Sequence, residues 1–138
     1  MKIYLAAPLF TVAEQDFNER LGALLYQQGY DVFLPQLESN PSDPLKEIYE
    51  RNLIGLGNAD VVVAVLDGTD VDSGTEWECG YAFARCKPVF GLRTDYRSFS
   101  PKETVNLQVQ EGLAALLFDG RDLLEALSEY ERNPRTTS

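Results

Sequence analysis

Histidine is absent from the chain. That absence removes Ser-His-Asp and Cys-His catalytic arrangements, and with them most catalytic zinc sites. Any chemistry must rest on carboxylates, Tyr, Lys, Arg or backbone dipoles. Cysteine is scarce: Cys79 and Cys86 stand seven apart, with no CxxC or zinc spacing. On one helix seven residues rise by roughly 10 Å, too far for a disulfide. The two fall on one face and are expected to be reduced core residues. No run approaches the roughly 18 to 20 apolar residues of a membrane span. The opening MKIYLAAPLF carries one lysine and no small-residue cleavage site, so it reads as a buried strand rather than a signal peptide. A cytoplasmic location is the expectation. Positive charge is also short: 12 Lys and Arg against 22 Asp and Glu give a net charge of −10. That argues against nucleic-acid backbone binding, which needs a basic face, but not against a small nucleoside held in a pocket. There is no GxxxxGK[ST] loop and no GxGxxG, and Mg²⁺ sites usually accompany phosphates, so no metal is expected.

What is present is alternation. The 138 residues, 44% of them hydrophobic and 11% aromatic, suffice for one domain with a substantial core. KIYLAA (2–7) reads as a strand. Residues 11–29 read as a helix opened by the capping box Thr11-x-x-Glu14 and closed at Gly29, with Phe17, Leu21, Leu24 and Leu25 at helical spacing. A strand at 30–35, a polar loop at 36–44 and a helix from about Pro44 to Gly57 follow. The clearest strand is ADVVVAVLDG (59–68), whose unbroken β-branched run implies burial on both faces. A helix at 74–86, a strand at 87–93, a short helix near 102–111, a strand at 114–119 and a helix at 120–131 complete the pattern. Five strands alternating with helices predict a single doubly wound α/β domain over 1–132, a parallel sheet in the order 2-1-3-4-5 with helices on both faces, and a flexible tail at 133–138. The ligand crevice is expected beyond the strand C-termini, near 6–11, 35–43, 67–75 and 93–101.

DSGTEWECGYAF (72–83) is the most informative stretch. Two capping boxes overlap in it, Ser73-x-x-Glu76 and Thr75-x-x-Glu78, and a helix start has one N-cap. If Glu76 is the capping partner, Glu78 sits in the first turn, facing the crevice, and the helix dipole keeps it ionised. Capping and catalysis are both open for it on pattern alone. Asp67, Asp70 and Asp72 in the preceding loop suit turn chemistry and N-capping, or else acid–base work or the weaker reading of metal ligation. Gln36, just after the second strand, can donate and accept at once and so can read a base edge.

Taken together, KIYLAAPLF, RNLIGLGNADVVVAVLDG, DSGTEWECGYA, GLRTDYR and VNLQVQ resemble the nucleoside 2-deoxyribosyltransferase family from residue 2 to about 118. The D-x-G-T-x-x-E-x-G-x-A stretch is the most specific part. The resemblance implies that Glu78 is a nucleophile that attacks the anomeric carbon of a 2-deoxynucleoside, expels the base and yields to a second base, with net retention and no cofactor. It implies that Tyr4 orients that nucleophile and that Asp72 serves near the sugar hydroxyl and departing base. Ala6, Asn52 and Gln108 fall beside the substrate, and Asn106 is lent to the site of a neighbouring subunit in a homo-oligomer. Asn52 stands where several members have an aspartate, and an amide cannot be a general acid. Gln108 replaces a frequent methionine and Ala7 a usual glycine. The implied partners are deoxynucleosides and free bases. Two alternatives remain: an N-glycosidase with water as acceptor, and a nucleotide-sensing module without turnover. The apolar first loop AAPLFT lacks the arginine of phosphate-gripping members and disfavours monophosphates.

Overall fold

The structure, a computed structural model, describes residues 1–134. The last four residues of the expected tail lie outside them. Five strands, β1 (Lys2–Ala6), β2 (Asp31–Phe33), β3 (Val61–Val65), β4 (Val89–Leu92) and β5 (Ala115–Leu117), pair in parallel in the order β2-β1-β3-β4-β5. The helices are α1 (Val12–Gln27), α2 (Pro35–Glu38), α3 (Leu45–Asn58), α4 (Ser73–Ala84), α5 (Leu107–Gly112) and α6 (Gly120–Arg132). The expected doubly wound sheet is therefore the observed one.

β3 shows why. All five of its residues are buried, because a parallel strand is covered on both faces. Val61, Val63 and Val65 enter one core with Leu21 and Leu25 of α1 and Leu123 and Leu127 of α6. Val62 and Ala64 enter the other, with Leu56 of α3, Cys79 and Ala82 of α4 and Val109 of α5. Tyr4 and Ala6 of β1 share this second face. Register decides this placement, since a one-residue slip would move Tyr4 to the α1/α6 side.

Local chemistry sets the helix ends. Thr11 caps α1 with a full capping box to Glu14. Residues 36–44 are not all loop: Pro35 at the first helical position starts the one-turn α2, since its φ is preset for a helix and its missing N–H is not needed there. The largest correction lies at α4. Neither overlapping capping box forms; Asp72 is the N-cap, and its Oδ2 accepts from the Thr75 N–H at 3.0 Å and the Thr75 hydroxyl at 3.2 Å. An aspartate is at least as good a cap as threonine, and Thr75 is already spent on it. Glu78 is thus the sixth helical residue, in the second turn rather than the first. Cys86 also departs from expectation. It lies beyond α4 in a left-handed conformation (φ 56°) and is exposed, whereas Cys79 is buried. The helix ends before the spacing argument can bring both inward.

Gly55 of α3 faces Phe33, whose ring stacks on Tyr4 at 5.3 Å between centroids and 12° between planes. A Cβ at position 55 would lie 2.6 Å from the Phe33 ring. Gly55→Ala is therefore expected to destabilise the protein by about 1–3 kcal/mol despite the better helix propensity of alanine, and to displace Tyr4 through Phe33. Urea unfolding measures the first effect; unchanged or raised stability would contradict it.

Candidate active site

A cavity of about 400 Å³ lies between α3 and α4 on the second face of the sheet. Tyr49, Asn52, Leu53 and Leu56 of α3 form one wall; their i, i+3, i+4, i+7 spacing is one helical stripe. Ser73, Gly74, Trp77 and Glu78 of α4 form the other, and Tyr4 of β1 contributes from the sheet. Three expected site residues, Tyr4, Asn52 and Glu78, are thus brought together from three elements. The crevice expected over the strand C-termini is met only by 73–74; helix faces supply most of the rest. Tyr49 and Trp77 have no role in the sequence reading. They meet edge to face at 6.1 Å, and Trp77 stacks on Tyr81 at 5.7 Å. The helical spacing of 49, 52, 53 and 56 could have flagged Tyr49.

The polar atoms here have an unusual property. Tyr4 Oη, Asn52 Oδ1 and Glu78 Oε2 are each buried with no formed hydrogen bond, and all three residues line the same cavity. A buried polar group without a partner is costly, so three around one cavity mark a place built to receive a ligand's polar groups. Tyr4 and Glu78 face each other closely enough for the hydroxyl to act on the carboxyl as a hydrogen-bond donor, though the pair falls short of full hydrogen-bond geometry. Burial, and then the adjacent Glu78 charge, push the Tyr4 hydroxyl well above the ordinary phenol range. Burial pushes the Glu78 carboxyl up to about 7; the Tyr4 hydroxyl opposes the rise and the Asp72 charge adds to it. Expected dipole stabilisation therefore does not win. The dipole acts within the first turn, and Glu78 stands beyond it, where loss of water favours the neutral acid.

Glu76 and Glu78 face different spaces, as a turn of about 200° between them requires. Glu76 lines a second cavity, of about 450 Å³, between α4 and α5, with Cys79, Phe83, Asn106 and Gln108 among its walls. The thiol in this larger cavity is not activated: burial, with Glu78 and Glu76 adding, pushes Cys79 up to about 12. Burial, then Asp70 and Asp72, also raise the Glu76 carboxyl. Asn106 is the N-cap of α5, accepting from the Gln108 N–H at 3.0 Å. Within one chain, Asn106 and Gln108 thus lie across α4 from the Glu78 cavity. Ala6 is buried in the sheet opposite Ala64 and does not line that cavity. Gln36 is occupied elsewhere: its amide donates to Gln15 O at 3.0 Å and accepts from Asn18 Nδ2 at 3.0 Å, tying α2 to α1.

The family profile for nucleoside 2-deoxyribosyltransferase matches residues 3–129. An uncharacterized protein of Ureaplasma parvum serovar 3 is 29% identical over 132 residues, covering 82% of each chain. Among solved structures, a conserved protein from Enterococcus faecalis V583 superposes with a TM-score of 0.83 at 27% identity, over 94% of this chain and 98% of that one. The 2-deoxyribosyltransferase of Bacillus psychrosaccharolyticus superposes with a TM-score of 0.78 at 25% identity, over 89% and 90%.

Proposed function

This chain belongs to the nucleoside 2-deoxyribosyltransferase family, and we propose that it transfers a 2-deoxyribosyl group between nucleobases, with Glu78 as the nucleophile. The observation that carries the reading is the trio of unpartnered polar atoms, Tyr4 Oη, Asn52 Oδ1 and Glu78 Oε2, around one cavity. The ionised Glu78 carboxylate attacks C1′ of a 2-deoxynucleoside as the C1′–N bond breaks. The bonding pair leaves with the base, which takes up a proton, and a deoxyribosyl ester of Glu78 remains. A second base attacks C1′ from the vacated face, gives up its ring N–H proton to the group that protonated the first base, and releases the carboxylate, so two inversions give retention. A desolvated carboxylate is the more reactive for lacking water to shed, and the Tyr4 hydroxyl orients it. Asn52 holds the base or sugar by hydrogen bonds but supplies no proton. Water is the proton source, and the Asp72 carboxylate, capping the same helix, serves near the sugar hydroxyl. No cofactor takes part, and the work belongs to nucleoside salvage in the cytoplasm.

Incubation with deoxyinosine plus adenine tests this directly. Free hypoxanthine with deoxyadenosine is the expected result by chromatography. Free hypoxanthine with deoxyribose would instead mean a hydrolase, and no change would mean a binding module.

The proposal extends to assembly. Asn106 lies across α4 from its own Glu78 cavity, an arrangement consistent with its serving a neighbouring subunit's site in a homo-oligomer. Asn106→Ala is expected to lower transfer by roughly 10- to 100-fold. Mixing it with an inactive Glu78→Ala chain should restore part of the activity, since hybrid interfaces then hold one complete site. Full activity in a species shown by light scattering to be a monomer would contradict this.

A further inference from the structure

Arg93 is the largest wholly buried side chain, 2% exposed, and among the described residues it pairs with no carboxylate. A buried guanidinium is tolerated only where its donors are satisfied. Here they are met by backbone carbonyls of two loops. Nη1 donates to Leu66 O; Nη2 donates to Gly68 O at 3.1 Å and to Arg97 O at 2.7 Å; Nε donates to Arg97 O at 3.2 Å. Two carboxylates cross the same gap. Asp67 Oδ1 accepts from the Thr94 N–H at 2.7 Å and the Asp95 N–H at 2.9 Å, while its Oδ2 accepts from the Thr94 hydroxyl. Asp95 Oδ2 accepts from the Gly68 N–H at 3.2 Å and pairs with Arg97. Gly68 closes the turn at φ 119°, where a side chain would meet Asp70 O at 2.9 Å. The segment so fastened, 66–72, ends at Asp72, which caps the helix carrying Glu78.

We propose that Arg93 is a positioning residue: with Asp67 and Asp95 it locks the β3–α4 loop to the β4–α5 loop and so fixes Asp72 and the start of α4 beside Glu78. The inference rests on the transferase reading above for its catalytic consequence. The planar fork is essential to it. Arginine spans three carbonyls at once, whereas the compact ammonium of lysine cannot match that geometry. Lys87 supplies the comparison, for its Nζ also joins two carbonyls, Gly57 O and Ala59 O, at the far end of α3.

The test compares Arg93→Lys, Asp67→Ala and Lys87→Met with the wild type. Amide hydrogen exchange at Thr75 reports the Asp72 cap directly, and base release from deoxyinosine reports chemistry. In Arg93→Lys and Asp67→Ala, Thr75 is expected to exchange about tenfold faster. In both, kcat falls by roughly 10- to 100-fold with KM changed by less than about threefold. Lys87→Met should lose comparable thermal stability while Thr75 exchange and kcat stay at wild-type values. If Arg93→Lys does not fold, Asp67→Ala, which opens the solvent side of the same brace, decides the matter. Unchanged Thr75 exchange in the brace variants overturns the proposal, as does an equal kcat loss in Lys87→Met. If the wild type releases no base, the transferase reading fails, and Thr75 exchange alone then decides whether the brace holds Asp72.

Discussion

Replacing Glu78 with alanine is expected to lower base exchange by roughly 10⁴-fold or more while leaving the fold intact. The size follows from the role. A nucleophile that forms the covalent intermediate has no substitute when the chain holds no histidine and the nearest thiol, Cys79, is pushed up to about 12 and lines the other cavity. The fold survives because Glu78 packs against a cavity rather than within either core. Glu76→Ala is the matching control. It faces the α4/α5 cavity and is not the capping partner of its helix, so its removal should change stability by less than about 1 kcal/mol. Steady-state chromatography of both variants checks the pair. Turnover of Glu78→Ala within tenfold of wild type, or a collapse of Glu76→Ala in its place, would reverse the assignment.

The second large effect is on stability. Glu78 has an ordinary carboxyl value of 4.5 in the unfolded chain and about 7 in the folded one. Between those limits the folded protein holds a proton that the unfolded chain has lost. Stability is therefore fully present below pH 4.5 and is lost as pH rises through about 7, at about 1.4 kcal/mol per unit and roughly 3 kcal/mol in all. Glu78→Gln cannot ionise, so it should be more stable than wild type by up to about 3 kcal/mol at pH 8 and nearly equal to it at pH 4. Glu76 is raised in the same direction but is common to both proteins and cancels in the difference. Urea unfolding of the two from pH 4 to 8 measures this. Parallel curves across the range would show that Glu78 carries no such penalty. On the proposed mechanism only the ionised form attacks, so transfer should rise with pH through about 7.

This penalty also explains where sequence reasoning reached and where it stopped. The sheet was legible because VVVAV can be buried on both faces only inside a parallel sheet, and because Thr11-x-x-Glu14 and Gly29 mark helix ends by local chemistry alone. The start of α4 was not, for three side chains compete as caps within four residues. Asp72 wins through a contact to Thr75, the residue that one of the two sequence motifs had made the cap itself. With Asp72 as the cap, Glu78 stands in the second turn, where burial outweighs the dipole. Gln36 likewise had suitable chemistry, but its partners on α1 lie about 20 positions away in sequence. The Tyr49–Trp77 wall exists only once α3 and α4 lie side by side. Arg93 could be read as part of a family-like GLRTDYR run, yet nothing in that run says that two of its three carbonyl partners lie 25 and 27 residues earlier.

The most direct test of the central claim is mass spectrometry of the protein quenched in acid during turnover of deoxyinosine without an acceptor base. The account predicts a deoxyribosyl adduct on the peptide carrying residues 73–84, localised by fragmentation to Glu78, discharged when adenine is added and absent from Glu78→Gln. An adduct on Glu76 or Asp72, or base release with no adduct on any residue under the same quench, would contradict it.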